Sequence, residues 1–288
     1  MSVFVQQQHS ICDFSGSDSW VILSDIEQSI KRKIEAVGTP LKDWNIQINY
    51  GIKTGYNDAF IISTEKRDEI LANCATEDER QRTAELIRPI LRGRDIKRYG
   101  YDWAGLWLIN THNGVKGVMP RIDIEEYPAV KQHLDKYWDK ISKRADRGDT
   151  PYNLRNCAYV EDFSKPKVVW KRVGSILRFS YDEVGHLALD STCFATGNHI
   201  PFLVCVLNSK MGHYLLQNAP KTGTGDLLIS VQAIEPLQIP LPASSEEDSL
   251  VSLLSDTTEI NDQKIDNIIF NMYGLNNCEI DFINKIID

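Results

Sequence analysis

Residues Arg88 to Trp103 read RPILRGRDIKRYGYDW, where Arg88, Arg92, Arg94, Lys97 and Arg98 stand beside Tyr99, Tyr101 and Trp103. Asp95 and Asp102 are the only acids there, so the stretch carries +3. Cations interleaved with flat rings suit a polyanion that also offers faces and edges, as nucleic acid does. The plain alternative is a solvated turn between two elements. Two further clusters repeat the sign. From Lys140 to Arg155, the cations Lys140, Lys143, Arg144, Arg147 and Arg155 oppose Asp146 and Asp149, again +3. From 165 to 181, KPKVVWKRVGSILRFSY holds Lys165, Lys167, Lys171, Arg172 and Arg178 with no acid, giving +5.

Two glycine-rich turns could approach a phosphate closely. In GIKTGYNDAFII, residues 51–62, Gly51 and Gly55 bracket Lys53 and Thr54. The second turn is Lys221-Thr222-Gly223-Thr224-Gly225-Asp226. Neither has the spacing of a Walker A loop. The first reads as a turn, with a hairpin as the bland alternative, that also lines a binding groove.

Catalytic sets are mostly missing. The six histidines (9, 112, 133, 186, 199, 213) show no H-x-x-x-H or H-x-E spacing, and no G-x-S-x-G elbow occurs. Each histidine reads as a surface or satisfied core residue. Asp149-Thr150-Pro151-Tyr152 superficially resembles the Asp/Asn-Pro-Pro-Tyr tetrapeptide that holds a flipped base in amino-methyltransferases. Thr150 replaces its first proline, however, and the glycine-rich S-adenosylmethionine loop is absent. Asp95-Ile96-Lys97 matches the D-x-K half of a nuclease motif without an upstream Asp on a strand. The six cysteines (12, 74, 157, 193, 205, 278) form no C-x-x-C, so neither a structural zinc site nor a disulfide framework is expected.

The elements that must position these residues follow from patterning. A chain of 288 residues, 42% apolar and 25% charged, is ordinary for a soluble globular protein with one large domain or two smaller ones. No apolar run approaches the ~18–20 residues that span a bilayer. MSVFVQQQHSICDF has no basic n-region, and a reducing cytoplasm is the expected setting. The net charge of −8 resides in residues 244–288, which hold ten acids and two lysines; residues 1–243 hold thirty of each sign. The body is therefore balanced, with local basic clusters.

Residues 1–19 read as a flexible lead-in. Ser24 and Glu27 form a capping box for a helix at 25–37, with Gly38 as its stop. Trp44, Ile46, Ile48 and Tyr50 alternate as a strand. Short charged helices at 65–74 and 77–88 precede a strand at Leu106–Ile109, a loop at 110–117 and a helix at 127–142. The third basic cluster reads as two strands joined by a Val173-Gly174-Ser175 hairpin turn, a basic ribbon. A strand around His186–Leu189, a turn, and the apolar run Phe202–Leu207 follow; Met211–Leu216 looks helical. Ile234 to Pro242 is an edge strand or tether. Ser244 and Glu247 suggest a second capping box for a helix running to Tyr273 and ending at Gly274, and Asn276 with Glu279 a last one. The long helix, acidic on one face and apolar on the other, is expected to pack on the body or on a partner.

In this order, GIKTGYNDAFII, ILRGRDIKRYGYDW, RGDTPYNLR, KPKVVWKR, LDSTCF and KTGTGDLLISVQAIEPLQIPLP resemble the C-terminal specificity region of type IIG restriction–modification enzymes, over about residues 20–288. In those enzymes one chain joins a nuclease, an adenine-N6 methyltransferase and a target recognition domain similar to that of the Taq-type methyltransferase. The resemblance implies an α/β (α+β) body with a mixed or antiparallel sheet, flanking helices and a C-terminal helical segment, at 20–243 and 244–288. It implies DNA contacts at Lys53, Thr54, Tyr56 and Asn57, at Arg92, Arg94, Lys97 and Arg98, at Lys171 and Arg172, and at Lys221, Thr222 and Gly223. Lys143, Arg144 and Arg155 join them as members of the second basic cluster. Trp107 and Trp170 are open to a purely core role, and Arg94 to pairing with Asp95 or Asp102.

The catalytic portions that precede such a domain are not in the sequence. The expectation is a fragment, a truncated gene or a separate subunit working with a methyltransferase or nuclease, the only part that would need S-adenosylmethionine or Mg. The expected function is sequence-specific recognition of double-stranded DNA without catalysis or cofactor, and with no membrane partner. A protein-interaction subunit or a catalytic remnant is the alternative.

Overall fold

In Lys167-Val168-Val169-Trp170 every side chain is buried, and a strand can bury both of its faces only if both are covered. The computed structural model describes residues 23–254 and 259–287, so the lead-in at 1–19 lies outside the described residues. The strands in order are β1 (Thr39–Pro40), β2 (Ile46–Tyr50), β3 (Ile61–Ser63), β4 (Ile87–Leu91), β5 (Leu106–Ile109) and β6 (Lys167–Lys171). They continue with β7 (Val173–Gly174), β8 (Phe179–Asp182), β9 (Leu187–Ala188), β10 (Thr192–Gly197), β11 (Leu227–Leu228) and β12 (Gln238–Ile239). An antiparallel sheet has the order β2-β10-β6-β8; a second, β3-β5-β4-β9, is antiparallel except for the parallel β4–β9 pair. The fold is mixed α+β, as the sequence predicts.

The first sheet divides two cores. In register, Val168 faces Ala195, Val169 faces Phe194 and Trp170 faces Cys193. The period of two sends Val168, Trp170, Cys193 and Ala195 into one core and Val169 and Phe194 into the other. On the first side lie the helices Asp25–Val37, Ile200–Asn208, Lys210–Leu216, Ser244–Leu254, Glu259–Met272 and Asn277–Ile287. On the second lie β3, β4 and β5 with the helix Pro128–Asp135.

Several expectations need correction. The span between Leu189 and Phe202, expected to be a turn, holds β10, the strand that pairs with both β2 and β6. Its residues show no alternation because both faces are covered. The run Phe202–Leu207 belongs to the helix Ile200–Asn208, which is buried all round and so carries no amphipathic signal. The helix read over 127–142 is two, Pro128–Asp135 and Trp138–Ile141. The segment 51–62 is no hairpin: it crosses from β2 in one sheet to β3 in the other, through the short helix Asn57–Phe60.

The helix Asp25–Val37 starts on the Ser24/Glu27 capping box, and Asn276 with Glu279 forms another. At 244 no full box forms, and only its carboxylate half is present, one residue earlier. Glu246 accepts from the Ala243 N–H at 3.0 Å, while Glu247 meets His199 at 2.9 Å. The single helix expected from 244 to 273 is Ser244–Leu254 and Glu259–Met272, with 255–258 outside the described residues. Its Leu250, Ile265, Ile269, Phe270 and Tyr273 are buried in the first core, so this segment packs on its own body. Among the described residues no helix is long and apolar enough to cross a membrane.

One cation of the third cluster is wholly internal. Lys167 and Asp182 are an ion pair with both side chains 0% exposed. The Lys167 ammonium also donates to the Phe163 carbonyl at 2.7 Å, and Asp182 accepts from the His186 N–H at 2.9 Å. Burial pushes the Asp182 carboxyl up, but the bonds and charges of His186 and Lys167 outweigh it and hold it at about 2. Asp182→Ala would strand a buried ammonium, so urea unfolding is expected to show a loss of about 3–5 kcal/mol.

Candidate nucleic-acid interface

The link between β6 and β8 spans residues 172–178 and is longer than the expected hairpin turn. Within it β7 pairs with β11, Gly174 opposite Leu227 and Val173 opposite Leu228. Leu227 also bridges Lys221. The second glycine turn, carrying Lys221, Thr222 and Gly223, is thereby held against the basic link. Trp170 belongs to the core at 1% exposure, and its indole N–H donates to the Ile229 carbonyl at 2.8 Å, pinning the same segment. Lys171, the next residue, is exposed.

After β4 the chain turns tightly. The buried Asp95 carboxylate accepts from the Arg92 backbone N–H and from its guanidinium, both at 2.8 Å. Arg92 is therefore tied to Asp95, which holds the turn. Lys97 pairs with Asp102 at 3.3 Å, so Arg94 is left exposed and unpaired among the described residues. A side chain at Gly93 would meet the Lys171 Cγ at 2.9 Å, which is why glycine stands there. Lys171 lies across Gly93, and this joins the first basic cluster to the third.

Other predicted contacts are turned inward. Arg98 bonds Asp262 and donates to the Asn208 carbonyl at 2.8 Å, and the buried Tyr99 donates to Asp262 at 2.9 Å. Tyr101 donates to Asp182, and Trp103 packs edge-on against Trp107 at 5.2 Å. The rings beside the cations therefore serve packing. Trp107 itself donates to Thr64 and lies under Arg67. Thr54 is buried, its hydroxyl donating to Asn57. Tyr56 is half-buried beside Tyr137, whereas Asn57 is exposed.

Arg144 is turned inward. It is 7% exposed, donates to the carbonyls of Thr54, Asp146, Pro151 and Asn153, and lies 4.4 Å over the Phe60 ring. Burial lowers its pKa to about 10. It braces the loop from within. Lys143 is exposed, while Lys53 and Arg155 share Asp146 at 2.8 and 3.2 Å.

What the structure assembles is a chain of adjoining depressions. The first, of 880 Å³, is lined by residues 113–121, Asp149 and 156–158 and includes Lys116 and Arg121. It shares Asn156 and Cys157 with one of 390 Å³ lined by Lys53, Arg155 and Arg172. That one shares Asp190 with a depression of 620 Å³ lined by Asn57, Arg92, Arg94 and Lys171. The last, of 170 Å³, shares Gly93, Arg94 and Lys171 and adds Ile176 and Arg178. Lys116, Arg94, Lys171, Arg172 and Arg178 have no ion pair among the described residues. The Arg172 Nε is buried without a hydrogen-bond partner among the described residues. Asp58 and Asp190 line the same depressions without an ion pair among the described residues, and Asp149 pairs with Arg121, so the cations remain in excess along the groove and attract an extended anion. Lys97, Arg98, Lys143, Arg144, Lys221, Thr222 and Gly223 line none of these depressions. Sequence patterning did not single out Lys116 and Arg121. Their signal was the glycine-bearing loop around them.

Beside Arg98, burial and the Arg98 charge push His213 down to about 4, and its Nε2 has no partner among the described residues. A free histidine titrates near ~6.5, so the folded state resists protonation. The resulting stability is complete above about pH 6.5 and is lost as pH falls toward about 4. Melts at pH 7 and pH 4.5 are expected to differ by up to about 3 kcal/mol from this group, and His213→Leu is expected to remove that part of the difference.

Residues 88–239, more than half of the chain, match the family described as the TaqI-like C-terminal specificity domain. The type II methyltransferase M.BstVI of Geobacillus stearothermophilus is 20% identical over 96% of this chain and 48% of its own length. M.PaeR7I of Pseudomonas aeruginosa is 24% identical over 48% of this chain and 21% of its own. The chain thus spans less than half the length of these curated relatives. Among solved structures, the type IIL restriction–modification enzyme MmeI, solved in complex with DNA, shares the fold. Its TM-score is 0.59 at 13% identity, covering 87% of this chain and 36% of that one. The matched span contains the Arg92–Asp95 turn, the β6–β8 link and the second glycine turn, and the chain belongs to the TaqI-like C-terminal specificity domain family.

Proposed function

We propose that this chain is the double-stranded DNA recognition module of a restriction–modification system. The observation that carries the reading is the groove in which Lys116, Arg94, Lys171, Arg172 and Arg178 stand without an ion pair among the described residues. Phosphate contacts from these cations would set register, and base edges would be read from the groove floor by Asn57, Asn156 and the loop at 113–121. Membership of the specificity-domain family supports this reading, as does the fold shared with MmeI. Methyl transfer or cleavage would belong to a partner region, in the same chain or in a separate subunit. S-adenosylmethionine and Mg would act only there, in the cytoplasm. The opposing view, a protein-binding subunit driven by the acidic C-terminal helices, is weakened by the burial of their apolar faces in the chain's own core.

Selection of bound duplexes from a randomised pool, at low and at moderate salt, tests the proposal. A motif that survives the higher salt is expected. Binding that vanishes with salt and enriches nothing would reduce the chain to a phosphate grip. No binding at either salt would favour the protein-interaction view.

A further inference from the structure

Among the most exposed large apolar residues, Val118 at 72% and Ile176 at 64% both line the basic groove, in the first and last of its depressions. Val184 and Leu241, also exposed, line none of these depressions. Val118 sits on a braced turn, and Ile176 in a bend between two anchored positions. The Val118 N–H donates to the Val115 carbonyl at 2.9 Å, Gly117 has φ +78°, and Val115 and Met119 exchange backbone bonds at 2.8 and 2.9 Å. This is a type II turn whose third residue must be glycine-like. Ile176 follows β7, which is paired to β11, and precedes Leu177, which packs on the core.

Each apolar tip is also flanked by cations. Lys116 and Arg121 stand beside Val118, and Lys171 and Arg178 beside Ile176. Where cations on either side grip the two phosphate strands, the surface between them is made of base edges. The apolar group that a base edge presents in the major groove is the C5-methyl of thymine. Short branched side chains at such positions suit an edge contact and do not reach far into a stack.

We propose that Val118 and Ile176 are specificity-determining residues that each contact a pyrimidine C5-methyl group, one at either end of the recognised site. This rests on the DNA-recognition reading above. It predicts a site with a thymine, or an equivalently placed 5-methylcytosine, toward each end.

The test uses the 288-residue chain and its selected duplex, with every thymine replaced singly by deoxyuridine and binding measured at fixed salt. Removing one such methyl group is expected to weaken binding about three- to fivefold at two separated positions. Ile176→Ala should abolish the thymine-over-uracil preference at one of them and Val118→Ala at the other, while the remaining position keeps its preference. Uracil duplexes that bind as well as thymine duplexes throughout would overturn the proposal and leave DNA recognition standing. So would preferences that survive both alanine changes, or a brightened 2-aminopurine at an end step, which would make the tips wedges between bases. Absence of any duplex binding by the unaltered chain would overturn the proposal together with the reading beneath it.

Discussion

Arg94→Ala, Lys171→Ala and Arg178→Ala in one chain are expected to lower duplex affinity by ~10²-fold or more and to leave the melting temperature nearly unchanged. The three side chains are exposed and have no ion pair among the described residues, so truncating them breaks no salt bridge and removes only the packing of the Lys171 stem across Gly93. Surface changes of that kind are worth within about 0.5 kcal/mol of stability. Against DNA they act together, since all three line the depression of 170 Å³ that Lys171 joins to the turn at Gly93. Charge-assisted bonds contribute about 1.5 kcal/mol or more each. Each phosphate that is no longer neutralised should also reduce the salt slope of log K by about 0.9, so the triple change should flatten it by about 2.7. Lys143→Ala with Lys221→Ala provides the contrast, because both are exposed but lie off the groove, and a much smaller change is expected. A titration from about 50 to 200 mM salt decides the matter. An unchanged slope with intact binding would remove these cations from the interface.

Arg144 should behave in the opposite way. Arg144→Met keeps an apolar stem over Phe60 but leaves the carbonyls of Thr54, Asp146 and Pro151 without their donor and that of Asn153 with the Gly148 N–H alone. Buried acceptors left unpaired cost about 1–3 kcal/mol each where water cannot reach them. Partial relaxation makes a total on the order of 3–5 kcal/mol the expected result, large against the ~5–15 kcal/mol that holds a domain together. Arg144→Lys should recover only part of it, because an ammonium cannot fork between four carbonyls. Urea unfolding measures the change, and the folded fraction should keep its salt slope. A variant of full stability with weakened DNA affinity would return Arg144 to the binding surface.

The sequence by itself determined the elements whose information is local. The capping box at Ser24 and Glu27 and the alternation through Ile46 to Tyr50 could both be read from neighbours in the chain, whereas the segment 234–242 reads equally as an edge strand or a tether and pairs only at Gln238–Ile239. It also located the basic clusters and the family resemblance, since charge and motif order are properties of the string. The tertiary structure decided everything that depends on what covers a residue. β10 and the helix Ile200–Asn208 carry no periodic signal because they are buried on every side. Arg94 and Arg98 lie four residues apart in one motif, yet one has no ion pair among the described residues and the other is locked to Asp262 in the helix Glu259–Met272. Arg144 and Lys167 look like any other cation in a basic run, and only folding surrounds one with carbonyls and the other with Asp182. The physical reason is that a cation's task is set by its partners, which the chain brings in from 90 residues away for Arg144 and 164 for Arg98.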